Sequence, residues 1–172
     1  MLPDKQDQDR IVESLQAIFP RASVIDRRVK PQHGYRAVHF VARIGVCIEI
    51  QVRTLLQHKW AELSEKLADV LDSSIKYGGG PPFIKTLLAR HSSRFAELED
   101  VEYDLHRLRE DAAGIARRAK DLHGLEEVDI DAATAVESNV NELEARVVQL
   151  KKQDLETCED LITWLLTYKD RK

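Results

Sequence analysis

Only two cysteines occur in the 172 residues, Cys47 and Cys158, with no CxxC spacing. That scarcity excludes a disulfide framework and makes a reducing, cytoplasmic setting the expected one. Seven glycines and five prolines exclude collagen-like and low-complexity classes, and an aromatic content of 6% limits the core to a modest size. No apolar run approaches the ~18 residues of a membrane-spanning helix. The opening MLPDKQDQDR lacks the apolar stretch of a secretory signal. No membrane partner is therefore expected. Charge is what the chain has in excess: 33% of residues are Asp, Glu, Lys or Arg, which fits a helix-rich protein with a long solvated surface.

The charge is unevenly spread. Residues 21–60 hold eight basic side chains (Arg21, Arg27, Arg28, Lys30, Arg36, Arg43, Arg53, Lys59) and two acidic ones (Asp26, Glu49). That window is +6 in a chain of net −4, which leaves −10 for the remainder. A basic island in an acidic chain is an electrostatic footprint for an anionic ligand such as a nucleotide or phosphate, or equally a solvated arginine-rich face.

Periodicity divides the chain at about residue 80, into a mixed segment, 1–80, and a helical tail, 81–172. Residues 7–19 place Ile11, Val12, Leu15, Ile18 and Phe19 on one side of a helix ended by Pro20. Residues 22–29 read as a short strand. Two stronger strand candidates follow at 35–44 and 46–53, and their β-branched alternation predicts an antiparallel hairpin. Like-numbered parity must pair if apolar faces are to match, which predicts a three-residue loop, 43–45, with Gly45 left-handed. In that register His39 stands opposite Glu49. One face is then apolar and the other carries Tyr35, His39, Glu49, Gln51 and Arg53.

Thr54 is placed to cap a helix over 55–72 with Leu56, Trp60, Leu63, Leu67, Val70 and Leu71 as its buried stripe. The stretch SSIKYGGGPP reads as a connector, because no Gly-Lys-Ser/Thr follows its glycines. Beyond Pro82, Val101, Leu105, Leu108, Ala112, Ile115, Ala119 and Leu122 form a heptad seam. Residues 123–130 interrupt it, with Asp129 or Asp131 as the cap of a second helix. There Val136, Val140, Leu143, Val147 and Leu150 repeat the seam, which slips at Asp154 before Cys158, Leu161 and Leu165. Two helices of about forty residues, each roughly 60 Å long, imply an antiparallel helical hairpin, folded on itself or paired with partner helices or a second copy.

One carboxylate beside a histidine and several cations suits chemistry on phosphorylated substrates. Zinc spacings, a GxSxG elbow and a Cys-His pair are absent from the sequence. The segment 34–66, with G-Y-R-x-x-H (Gly34 to His39) and E-x-Q-x-R-T (Glu49 to Thr54), closely resembles the C-terminal half of a RelA/SpoT-type synthetase domain. Tyr35 and Glu49 lie fourteen residues apart, as that pattern requires. The resemblance covers about residues 5–80.

That resemblance implies an α+β fold: part of a nucleotidyltransferase-like mixed or antiparallel sheet with flanking helices, here followed by the helical hairpin. It implies transfer of pyrophosphate from ATP to the 3′-hydroxyl of GDP or GTP, giving the alarmones ppGpp and pppGpp. By the same resemblance Tyr35 stacks on the acceptor guanine and His39 contacts its phosphates. Glu49 activates the 3′-hydroxyl or holds Mg²⁺, Gln51 and Arg53 support the site, and Arg36 and Lys30 bind substrate. Many relatives read P-K-x-N-G-Y where this chain reads Lys30-Pro31-Gln32-His33-Gly34-Tyr35, so Lys30 stands one place out of line. The family's upstream strand, D-x-x-G-x-R, whose Asp holds Mg²⁺, is expected to be missing here, since Asp4, Asp7 and Asp9 stand in the wrong context. The chain alone is therefore expected to leave a sheet edge open and to make no alarmone. A non-catalytic guanine-nucleotide module, or a toxin-like relative that modifies RNA, are the alternatives.

Overall fold

Asp4 starts the first helix by accepting the Asp7 N–H at 2.8 Å, and α1 runs Lys5–Ile18 in the computed structural model, which describes residues 1–121 and 127–169. Helix α1 lies across a three-stranded antiparallel sheet, order β1-β2-β3, made of Ser23–Asp26, Val38–Arg43 and Cys47–Val52. Val12 is buried there with Val38 and Val52, and Leu15, Val24 and Ile50 pack around them. Ile11 and Ile18, expected on the apolar side of α1, are exposed, because three strands cover only a narrow stripe of the helix. Phe40 is fully buried and meets Phe19 at 6.2 Å between ring centres.

Two strand expectations need correction. The hairpin loop is 44–46, not 43–45: Arg43 pairs with Cys47, the Ile44 N–H donates to the Val46 carbonyl at 3.1 Å, and Gly45 has φ +89°. The register is thereby displaced by two residues, so parity and faces survive while partners change. His39 pairs with Gln51, and Glu49 with Val41. The observed register sets Val38 opposite Val52, both buried, where the expected one would have set Val52 opposite Arg36. Apolar burial decides between them. The first hairpin strand is also shorter than 35–44. Tyr35 belongs to a tight turn, its N–H donating to the Gln32 carbonyl at 2.9 Å, with His33 at φ +56° and Gly34 at φ +90° between them. Positive φ at both central positions is the type I′ geometry.

Helix α2, Leu55–Val70, begins with the capping box formed by Thr54 and Gln57. Leu56, Trp60, Leu63 and Leu67 are buried as expected, whereas Leu71 is exposed at the helix end. The glycine connector contains a short 3₁₀ helix, Ser73–Tyr77, closed by Gly78 at φ +78°. Helices α3, Pro82–Asp121, and α4, Glu127–Lys169, follow. Pro82 sits at the first position of α3, where its missing N–H costs nothing. Three ion pairs fix their antiparallel register: Arg94–Asp154 at 2.6 Å, Glu102–Lys151 at 2.8 Å and Arg109–Glu144 at 2.8 Å. The chain is thus α+β, a small antiparallel sheet with flanking helices followed by a long antiparallel helical pair.

Among the described side chains only part of each expected seam is internal. Leu105 on α3 and Val140, Val147, Cys158 and Leu165 on α4 are buried, but Val101, Leu108, Val136 and Leu143 are about half exposed. Helical spacing puts the buried and the exposed positions on opposite flanks of one stripe, and Cys158 and Leu165 pack into the core that α4 shares with α2 and α3. Asp154, where the seam slips, is buried and accepts both contacts from Arg94 Nε. Asp129 and Asp131 fall inside α4, so neither caps it. Ile115, Ala119, Leu122 and the interruption at 123–126 lie outside the described side chains or residues. The largest core joins Leu56, Trp60, Leu63 and Leu67 of α2 to Ile84, Leu88, Phe95 and Leu98 of α3 and Ile162 and Leu165 of α4, across the division at residue 80.

Candidate nucleotide site on the polar face of the hairpin

Strand alternation sends His39, Glu49 and Gln51 to the side of the sheet away from α1. The turn at Gln32–Tyr35 delivers Tyr35 to the same side, and the end of β3 delivers Arg53. The Tyr35 ring packs against Trp60 at 6.4 Å and edge-on against His39 at 5.6 Å. Gly34 is required behind it: a methyl there would lie 2.8 Å from Trp60 Cζ2, at a φ side chains avoid.

The polar groups form one continuous network. His39 Nδ1 meets Glu49 Oε1 at 2.5 Å, and His39 Nε2 meets the Tyr35 hydroxyl at 3.1 Å. The Arg53 guanidinium donates to that hydroxyl at 2.8 Å and to the Gln51 side-chain oxygen. Gln51 Nε2 reaches Glu49 Oε1 at 3.5 Å. With Nδ1–H given to the carboxylate, Nε2 accepts from Tyr35, and the chain runs Arg53, Tyr35, His39, Glu49. The His39–Glu49 contact is diagonal, within the reach of long side chains on one sheet face. The His39 hydrogen bond, then that of Gln51, holds the Glu49 carboxyl below its usual range. Glu49 is thus an ionised acceptor at neutral pH. Arg53 also lies over the Tyr35 ring at 5.1 Å, a cation–π contact.

Five of the seven residues singled out in the sequence therefore meet: Tyr35, His39, Glu49, Gln51 and Arg53. Two do not. Arg36 sits on the opposite strand parity, within electrostatic reach of Asp26 and Glu99 rather than Glu49. Lys30 is exposed in the β1–β2 connection and makes no hydrogen bond or ion pair among the described residues. The basic footprint is diluted in the same way. Arg28 is tied to Asp26 at 2.7 Å and Asp9 at 2.7 Å, and Lys59 to Glu62 at 3.2 Å and Glu159 at 3.1 Å. Both ring nitrogens of His39 are engaged, so a phosphate contact there requires one partner to be exchanged.

Sequence reasoning missed what supports the face. The Ser92 hydroxyl donates to the Gly34 carbonyl at 2.7 Å, and Trp60 Nε1 donates to the Leu88 carbonyl at 2.8 Å. Glu99, 1% exposed, accepts from the Thr54 hydroxyl and from Gln57 Nε2 at 3.1 Å. The one signal in the sequence was two polar residues seven apart, on the buried stripe of a long helix.

Among the described residues no three His, Cys, Asp or Glu side chains converge as a metal cluster, and no helix is long and apolar enough to cross a membrane. The chain is similar to proteins of Mycobacterium bovis and Mycobacterium tuberculosis, described as uncharacterized, at 37% identity over 78 residues. The match takes in 44% of this chain and 29% of each relative, so the chain spans under a third of their length. No family model matches the chain, and no solved structure does.

Proposed function

We propose that the polar face of the hairpin binds a guanine nucleotide and forms the acceptor side of a RelA/SpoT-type alarmone synthetase site. One observation carries the reading: Tyr35 and His39 of one motif and Glu49, Gln51 and Arg53 of the other meet in a single network. The guanine base replaces the Arg53 guanidinium over the Tyr35 ring, a stacking contact of about 1–3 kcal/mol. Arg53, released from the ring, turns to the phosphates of GDP or GTP. Ionised Glu49 accepts the hydrogen bond of the 3′-hydroxyl and takes its proton as that oxygen attacks the β-phosphorus of ATP and AMP leaves.

Mg²⁺ in such sites is held by one or two carboxylates and the substrate's phosphates, and Glu49 would be the protein ligand here, the ion neutralising phosphate charge. ATP and GTP as substrates fit a cytoplasmic setting. A non-catalytic guanine-nucleotide module is the second reading, favoured by Glu49 being the only carboxylate in the network.

Titration calorimetry with GDP tests the binding. Tyr35→Ala is expected to weaken it about tenfold or more, from the stacking energy lost; equal affinity for both chains would overturn the reading. Incubation of the chain alone with ATP and GTP is expected to give no alarmone; chromatographic ppGpp or pppGpp that disappears in Glu49→Gln would overturn that expectation and discard the non-catalytic module.

A further inference from the structure

Helix α3 touches the polar face from behind at two points, and each lies next to a residue of the network. Ser92 holds the carbonyl of Gly34, which precedes Tyr35. Glu99 holds Thr54, which follows Arg53, and Gln57 one turn later. Tyr35 and Arg53 touch one another through the phenol oxygen at 2.8 Å and through the ring face. Ser92 and Glu99 are seven residues apart, two helical turns or about 10 Å along one side of α3. Leu88, one turn before Ser92, fixes Trp60, against which the Tyr35 ring packs.

We infer that α3 is the positioning element of the nucleotide face, with Ser92 setting the Tyr35 turn and Glu99 setting the Arg53 end, so that together they fix the distance between ring and guanidinium. Both groups are buried: Ser92 is 6% exposed and Glu99 1%. Neither reaches the face itself, so they act only through Gly34 and Thr54. A core needs apolar contact at such positions, not a hydroxyl and a carboxylate. Burying a carboxylate is costly unless donors meet it, and the donors that meet Glu99 are the cap residues directly after Arg53. The helix continues some twenty residues beyond Glu99 and is paired there with α4 through Arg109 and Glu144.

The significance for nucleotide binding rests on the guanine reading, but the positioning itself is measured without nucleotide. Tyrosine ring resonances of ¹³C-labelled protein, assigned with Tyr35→Phe, report the Tyr35 environment directly. Ser92→Ala and Glu99→Gln are each expected to move the Tyr35 resonances while the far-UV spectrum matches the parent. Ser92→Thr, which keeps the hydroxyl, is expected to restore the parent position. Thr54→Ser and Thr54→Val, the mild and severe forms at the other end of the Glu99 contact, are expected to leave the resonances in place and to move them, respectively. A Tyr35 ring unmoved in Ser92→Ala and Glu99→Gln would overturn the inference.

GDP titration of the same variants gives a second readout. Ser92→Ala is expected to weaken binding at least about threefold in the parent background and to add nothing in Tyr35→Ala, and Glu99→Gln to weaken it similarly and to add nothing in Arg53→Ala, the signatures of action through Tyr35 and through Arg53. Resonances that move while Tyr35→Ala leaves GDP affinity untouched would keep the positioning role and discard the guanine site. Unmoved resonances with Tyr35-dependent GDP binding would do the reverse.

Discussion

Glu49 and Glu99 are both carboxylates met by two side chains, yet their surroundings drive them in opposite directions. Glu49 lies in solvent, and hydrogen bonds from His39 and Gln51 pull its pKa down. Burial pushes Glu99 up, and its bonds from Thr54 and Gln57 only partly offset that. The signs follow from linkage. The lowered group contributes stability above the usual carboxylate range and loses it as pH falls through its folded value. The raised group contributes most below that range and loses its contribution as pH rises through its folded value. Thermal melts should therefore show the stability difference between the parent and Glu99→Gln moving in the parent's favour between neutral pH and about pH 5; a difference independent of pH would contradict the assignment. The cysteines make a simpler contrast. Cys158 is fully buried and its thiol is pushed up to about 11, first by burial and then by Asp154, whereas Cys47 is exposed. A thiol reagent at neutral pH should titrate one sulfur quickly and the second only on unfolding. Two fast equivalents would mean that α2 and α3 do not cover Cys158.

At the scale of elements, the cap of α2 joins local folding to the site. Thr54 satisfies the Gln57 N–H, Gln57 returns to the Thr54 N–H, and both hand hydrogen bonds to Glu99. Thr54→Ala removes a cap worth about 1 kcal/mol and a donor to a buried carboxylate, worth about 1–3 kcal/mol more. Urea unfolding should report a loss near the sum, and Thr54→Ser should recover most of it. A loss no larger than for an exposed cap would show that Glu99 finds another donor. The sequence made much of this level legible. Thr54, the buried face of α2, the hairpin and the side of the sheet on which His39, Glu49 and Gln51 stand all follow from alternation and capping chemistry. The register did not, because two registers differing by two residues keep the same faces; burial of Val52 against Val38 separates them. Nor did the fate of Arg36, Arg28 and Lys59. A charge count does not reveal which carboxylates, distant in sequence, will fold against each cation.

The whole molecule depends on contacts between segments that the sequence presents as separate. Composition and periodicity change at residue 80, and the heptads beyond it speak only of helices. What they do not announce is that α3 and α4 cover Leu56, Trp60, Leu63 and Leu67, the core face of α2. A chain ended at residue 80 should accordingly show little ordered structure by circular dichroism and no cooperative melt, since α1, a three-stranded sheet and an α2 stripped of its covering helices bury too little. Cooperative unfolding of that fragment would make the helical pair an appendage. For the 172-residue chain, the central claim is that a purine nucleotide seats on the Tyr35–His39–Glu49 face. The most direct measurement is a backbone and side-chain amide NMR map recorded with increasing GDP. Perturbations are expected to be confined to the Gln32–Tyr35 turn, the polar side of β2 and β3 including Gln51, and Arg53, and in Tyr35→Ala to need about tenfold or more GDP to appear. Perturbations centred on α1 and Tyr103, or none at millimolar GDP, would contradict it.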